Sequence, residues 1–174
     1  MKNSHLKSRR PSLRTQLLTL YTNGRLPTLG TIRSINQEYV WKPNEWGQAA
    51  ETVLKTMQQT SKIIMIQEFV VMPNHIHFLL SYRQHKPYIL NWFARRCKRM
   101  MTPPMLHAKH TSLPIWEGSF HSTEIRHEYT LHAVCENLRE HHRLWQYDML
   151  CREAHAALLK EKMNKLKVIE SNID

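Results

Sequence analysis

Two histidines one residue apart are the first feature that could do chemistry. His75 and His77 flank Ile76 in an apolar run, just after Pro73-Asn74. In a strand, residues two apart project from one face. Two imidazoles on one face can grip a divalent cation while their other ring nitrogens are oriented by neighbouring groups. The same spacing also suits a pair of structurally satisfied histidines, since the chain has 12 in all. A second cluster is basic. Arg95, Arg96, Lys98 and Arg99 crowd within five positions, a pattern that can track phosphates or simply solvate a helix face.

The elements that must hold these residues follow from apolar spacing. Arg14 to Tyr21 predicts a strand, Asn23-Gly24 a turn, and Leu26 to Ile32 a second strand. Asn44 is the expected N-cap of a helix reaching about Gln59, with Trp46, Ala49, Ala50, Val53, Leu54 and Met57 on one side. Lys62 to Tyr82 predicts two adjacent strands joined by a bend at Pro73-Asn74, with the histidine pair on the second. Pro87 should open a helix with Ile89, Leu90, Trp92, Phe93 and Cys97 inward and the basic residues outward. The prolines and histidines of 102–114 predict a loop, and Ile115 to Arg126 a short strand. Glu128 to Leu150 predicts one helix, and Ala154 to Ile169 a last amphipathic one. Strands and helices interleave in an α+β order, helices packing on an antiparallel sheet.

Composition narrows the partners. Lys and Arg total 25 against 14 Asp and Glu, a net charge of +11 that favours a polyanionic partner such as nucleic acid. No apolar run approaches the ~20 residues of a bilayer span, so a membrane is not expected. The basic amino terminus lacks the apolar region of a secretory signal. Cys97, Cys135 and Cys151 are odd in number and without C-x-x-C spacing, which argues for plain thiols in a reducing compartment and a cytoplasmic location. The expected division is a flexible basic start over 1–13, one domain over 14–150, and a C-terminal helix over 151–174. Trp92 and Trp145 fit a core, whereas Trp41, in a polar stretch, fits a stacking surface for unpaired bases.

The stretch Glu68-Phe69-Val70-Val71-Met72-Pro73-Asn74-His75-Ile76-His77 resembles the signature of REP-associated tyrosine transposases, where Met-Pro-Asn-His-x-His follows an apolar strand. Leu18 to Arg25 with Leu29-Gly30 is similar to the family's first strand and turn, and Ile89 to Phe93 to its middle helix. Trp116-Glu117, Ile125-Arg126, Glu128, Leu131 and Leu144-Trp145 are similar to its late strand and final helix. The similarity covers roughly residues 14–150. It implies a ferredoxin-like HUH domain with helices on one face of an antiparallel sheet and a helical C-terminal extension. It also implies cleavage and rejoining of single-stranded or hairpin DNA, with Mg²⁺ or Mn²⁺ on the histidine pair and a helix-borne tyrosine as nucleophile. A homodimer is compatible with this reading.

The tyrosine is where the chain departs from the family. An ungapped match sets the family's Tyr-Ile-x-Asn-Asn-Pro segment over Asn137-Leu138-Arg139-Glu140-His141-His142, so Asn137 holds the nucleophile's position. A shifted match puts Val134 there instead. Neither side chain can attack phosphorus to give a stable ester. Tyr129, eight residues before Asn137, is either a relocated nucleophile or an ordinary core or surface tyrosine. His141, one turn after Asn137, is either a third metal ligand, as the resemblance implies, or half of a solvated pair with His142. The expected function is transposase-like binding of single-stranded or hairpin DNA with impaired chemistry. A catalytically silent DNA-binding protein and a basic RNA-binding protein are the alternatives.

Overall fold

The computed structural model describes residues 13–83, 88–108 and 114–170, with the backbone alone for 103–108 and 164–170. In chain order the elements are β1 (Arg14–Thr22), β2 (Gly30–Ile35), β3 (Glu38–Pro43), α1 (Glu45–Thr60), β4 (Ile64–Val71), β5 (His75–Tyr82), α2 (Ile89–Ala108), β6 (Trp116–Ile125), α3 (Glu128–Leu144) and α4 (Met149–Glu170). The main sheet is antiparallel in the order β4-β5-β1-β6. With β2 and β3 set aside as a separate hairpin, the connection β1-α1-β4-β5-α2-β6 is the split ferredoxin-like βαββαβ arrangement.

Strand alternation sorts the side chains into two cores. Leu18, Leu20, Ile76, Phe78 and Leu80 are fully buried with Leu54 of α1 and Phe93 of α2. Val70, Met72 and Leu79 point the other way, toward Leu138 of α3, Trp145, and Cys151 and Ala154 of α4. So α1 and α2 pack on one face of the sheet, and the C-terminal helices cover part of the other. His75 and His77 share the second face with Leu79, by the period of two. This is the feature of the fold that builds the site.

Local signals explain most boundaries. The Asn44 side chain accepts hydrogen bonds from the amides of Trp46 and Gly47, capping α1 as expected. Gly47 lets that helix approach the chain before β2: a Cβ there would lie 2.1 Å from the Leu29 carbonyl oxygen. Pro73 and Asn74 make the bend between β4 and β5, and the Met72 amide bonds the His75 carbonyl across it.

Four expectations change. The strand after the first turn starts at Gly30, not Leu26, and pairs with an unforeseen β3 through Asn36 and Gln37, both at positive φ (51° and 67°), the two-residue hairpin geometry. α2 runs on through Pro103 and Pro104 to Ala108, where a loop was expected. The helix from Glu128 stops at Leu144, and a 3-10 turn over Trp145–Tyr147 leads to Asp148 before α4 begins. Trp92 is 40% exposed rather than core, whereas Trp145 is buried. Residues 1–12 of the expected flexible start, Pro87, and the 109–113 part of the expected loop lie outside the described residues. Among those described, no helix is long and apolar enough to cross a membrane.

Candidate metal centre

His75, His77, His141 and Asp148 converge on the second face of the sheet, each offering a ligand atom within 4.8 Å of the others. β5 supplies the first two, α3 the third, and the turn between α3 and α4 the fourth. The ring centroids of His75 and His77 are 4.5 Å apart, and His141 is 4.9 Å from His77 and 5.8 Å from His75. His141 Nε2 lies 3.0 Å from Asp148 Oδ2, and His75 Nε2 lies 3.9 Å from the same oxygen.

The hydrogen bonds around His75 decide its tautomer. The Asn74 amide nitrogen donates to the carbonyls of Arg25 and Leu150. Its Oδ1 therefore faces His75 Nδ1 at 2.8 Å as an acceptor. The proton sits on Nδ1, and Nε2 presents a bare lone pair. That atom is buried without a hydrogen-bond partner. Burying an unsatisfied polar atom costs about 1–3 kcal/mol, and a cation among the four ligands would recover it. His77 Nδ1 is held by Thr19 Oγ1 at 2.8 Å, which leaves its Nε2 for a ligand.

His141 carries the same implication. Its Nδ1 faces Asn137 Oδ1 at 3.1 Å and its Nε2 faces the Asp148 carboxylate. The imidazolium would donate to both, whereas the ring with its one N–H on Nδ1 turns a lone pair toward the carboxylate. In that state a cation shared by Nε2 and the carboxylate fits between them. Three imidazoles and a carboxylate suit Mn²⁺ or Zn²⁺ better than Mg²⁺, which prefers oxygen.

Protonation is set for ligation. Burial, reinforced by the charges of His77 and His141, holds His75 well below the ordinary histidine range. Burial and His141 push His77 down to about 3. Burial raises the Asp148 carboxyl, but hydrogen bonds from His141 and the Leu150 amide more than offset this, and it stays below its ordinary value. At neutral pH both β5 rings are neutral and the carboxyl is charged, the states a cation needs.

The structure brings His75, His77, His141 and Asn137 together and separates the rest. His142 is not solvated beside His141: its Nε2 donates to the Val71 carbonyl and its ring stacks on Trp41, centroids 5.4 Å apart. Trp41 Nε1 donates to Glu51, so this tryptophan is already engaged on both counts. Tyr129 is 75% exposed at the start of α3, stacked on His127. His141 is twelve residues on, roughly 18 Å along the axis. Lys98 turns its ammonium to the carbonyls of Glu117, Gly118 and Ser119, whereas Arg95, Arg96 and Arg99 line a surface concavity.

Sequence reasoning missed Asp148, Thr19, Asn74 as the partner of His75, and Tyr21. Asp148 sat inside a helix read as continuous to Leu150, so its turn was hidden. Thr19 and Tyr21 are the cross-strand partners of His77 and His75, a relation that only register reveals. The Arg25 guanidinium lies 3.3 Å from the Tyr21 ring centroid.

No protein-family model and no curated protein matches the chain. Among solved structures it is similar to a proposed transposase from Deinococcus radiodurans R1, with a TM-score of 0.48 and 16% identity over 80% of this chain and 97% of that one. It is also similar to a REP-associated tyrosine transposase bound to a REP hairpin, with a TM-score of 0.47 and 15% identity over 81% of this chain and 72% of that one. Neither likeness bears on the site, which stands on its own residues.

Proposed function

We propose that this chain is a transposase-like protein that binds single-stranded or hairpin DNA at a divalent-metal centre, with strand-cleaving chemistry impaired by the loss of the helix tyrosine. The observation that carries the reading is the four-ligand cluster with Asn137 hydrogen-bonded to its third histidine. The resemblance of Met72 to His77 to the transposase signature and the +11 charge support DNA as the partner. His75, His77, His141 and Asp148 would hold the cation, and of the expected Mg²⁺ and Mn²⁺ their donor set favours Mn²⁺. Bound there, it would supply Lewis-acid stabilisation to a phosphate oxygen. Asn74 and Thr19 orient the two β5 rings. Asn137 orients His141 and supplies no nucleophile, because an amide is a poor one at phosphorus.

The experiment is an adduct assay. Protein, Mn²⁺ and labelled hairpin DNA are incubated, denatured and run on a gel. The wild type should bind the DNA yet show no protein-linked strand, and Asn137→Tyr should show at least a trace. A wild-type adduct overturns the impaired reading. Its loss in Tyr129→Phe or in Tyr21→Phe would identify the tyrosine that had taken over. Absence of DNA binding with the cation present would remove the DNA function itself.

A further inference from the structure

The outer face of α2 carries a feature for which the metal cluster has no use. Arg95, Arg96 and Arg99 share it with Tyr88, Asn91 and Trp92, around an open concavity of about 520 Å³. Positions 92, 95, 96 and 99 follow the i, i+3, i+4, i+7 rule, so their side chains form one stripe. Trp92 is 40% exposed and Tyr88 58%. The Arg96 guanidinium sits 5.6 Å from the Trp92 ring centroid. Among the described residues, none of the three arginines has a carboxylate partner, whereas Arg14, Arg25, Arg126, Arg139 and Arg143 each do. A second concavity of about 200 Å³ shares Trp92 and Arg96 and continues to Thr60, Ser61 and Lys62. No acidic residue lines either one.

Unpaired guanidiniums and half-exposed indole and phenol rings along one groove have a common complement. Guanidinium forks match phosphate oxygens, and exposed aromatic rings stack on bases that no partner strand covers. A duplex would offer the phosphates but keep its bases stacked inside. We propose that this groove binds a single-stranded nucleic-acid segment, its phosphates on Arg95, Arg96 and Arg99 and its bases against Trp92 and Tyr88. The groove and the metal cluster lie on opposite faces of the sheet, because α2 packs with Leu18 and Leu20 while His75 and His77 point toward α3. The smaller concavity leads to Lys62 and Ile63, just before the edge strand β4. A strand bound at both places would therefore pass round that edge. The inference rests on the DNA-binding reading above and adds a contact surface remote from the cluster.

The test compares a hairpin carrying a single-stranded tail of about 12 nucleotides, within the span that such surfaces cover, with the same hairpin lacking the tail. Fluorescence anisotropy is read on the full chain with Mn²⁺, from about 50 to 200 mM salt. The wild type should bind the tailed DNA more tightly. Trp92→Ala should reduce that tail-dependent gain by about 5- to 150-fold, the range of one lost base stack. The triple change Arg95→Ala, Arg96→Ala, Arg99→Ala should flatten the salt slope for the tailed DNA by roughly 2, about 0.7 per single-strand phosphate. Arg96→Glu serves if Trp92→Ala melts early. Tailed binding that is unchanged in these groove variants, at wild-type melting temperature, overturns the groove while leaving the DNA function standing. Equal losses with and without the tail overturn it in favour of duplex phosphates. Failure of the wild type to bind either DNA removes both readings.

Discussion

Acidifying the metal-free protein tests the cluster through stability alone. In the fold His75 is fully buried and His77 titrates near 3, so both are neutral at pH 5. Unfolded, both take up protons near 6.5. The unfolded chain therefore binds more protons between about 3 and 6.5, and stability must rise with pH across that window and fall as pH drops through it. For His77, moving from pH 7 to 5 costs at most about 2 kcal/mol, from ~1.4 kcal/mol per unit over the ~1.5 units below 6.5. His75, shifted in the same direction by burial, acts in the same sense. The His77 share alone is a sizeable part of the ~5–15 kcal/mol that holds a domain together. Asp148, whose carboxyl is depressed, loses its contribution only below about 4. His142, also lowered by burial, acts in the same sense as the pair. Urea unfolding with a chelator at pH 7, 6 and 5 measures the total, and His77→Gln isolates one share. The variant's stability should fall by about 2 kcal/mol less over the same interval. Parallel curves for wild type and His77→Gln would mean that His77 takes up its proton in the fold as readily as in the unfolded chain, and the neutral site described above would be wrong.

Three further outcomes follow from named contacts. Asp148→Asn should weaken Mn²⁺ binding by calorimetric titration by about 10- to 100-fold, the usual cost of removing a charged ligand or its orienting partner. His142→Ala, whose ring bonds Val71 and stacks on Trp41, should leave that affinity near wild type. Gly47→Ala should lower stability by about 1–3 kcal/mol in chemical denaturation, because overpacking against the Leu29 carbonyl outweighs the ~1 kcal/mol gain in helix propensity.

Much of the frame was legible because it rests on local signals. The apolar runs of β1, β4, β5 and β6, the Asn44 cap and the bend at Pro73-Asn74 are each written within a few residues. The histidine pair was legible for the same reason, since i, i+2 on a strand needs no knowledge of the fold. Features that depend on partners were not. The hairpin of β2 and β3 turns on Asn36-Gln37 rather than the Asn-Gly that announces such turns. Asp148 joins the site only because α3 ends at Leu144, and an apolar stripe running on through Trp145 and Met149 concealed that break. Trp92 has the spacing of a core residue, and its exposure follows from which side of α2 the sheet occupies. The ligand set, its orienting amides and the groove are properties of register and packing.

Asn137 connects the missing chemistry to the geometry that is present. On the reading proposed above it occupies the nucleophile's place, yet it is not idle: its Oδ1 is the acceptor opposite His141 Nδ1, one turn along α3. That contact fixes the His141 ring with Nε2 toward Asp148, the role an outer amide plays behind a metal-bound imidazole. A tyrosine at this position would put a phenol on a longer, planar stem and take the amide oxygen away. Returning the nucleophile therefore removes the group that orients the third ligand. Asn137→Tyr should gain a trace of adduct while losing metal affinity, so its adduct must be sought at higher Mn²⁺ than saturates the wild type. Wild-type affinity in that variant would show that His141 needs no orienting partner, and the coupling between the two positions would have no basis.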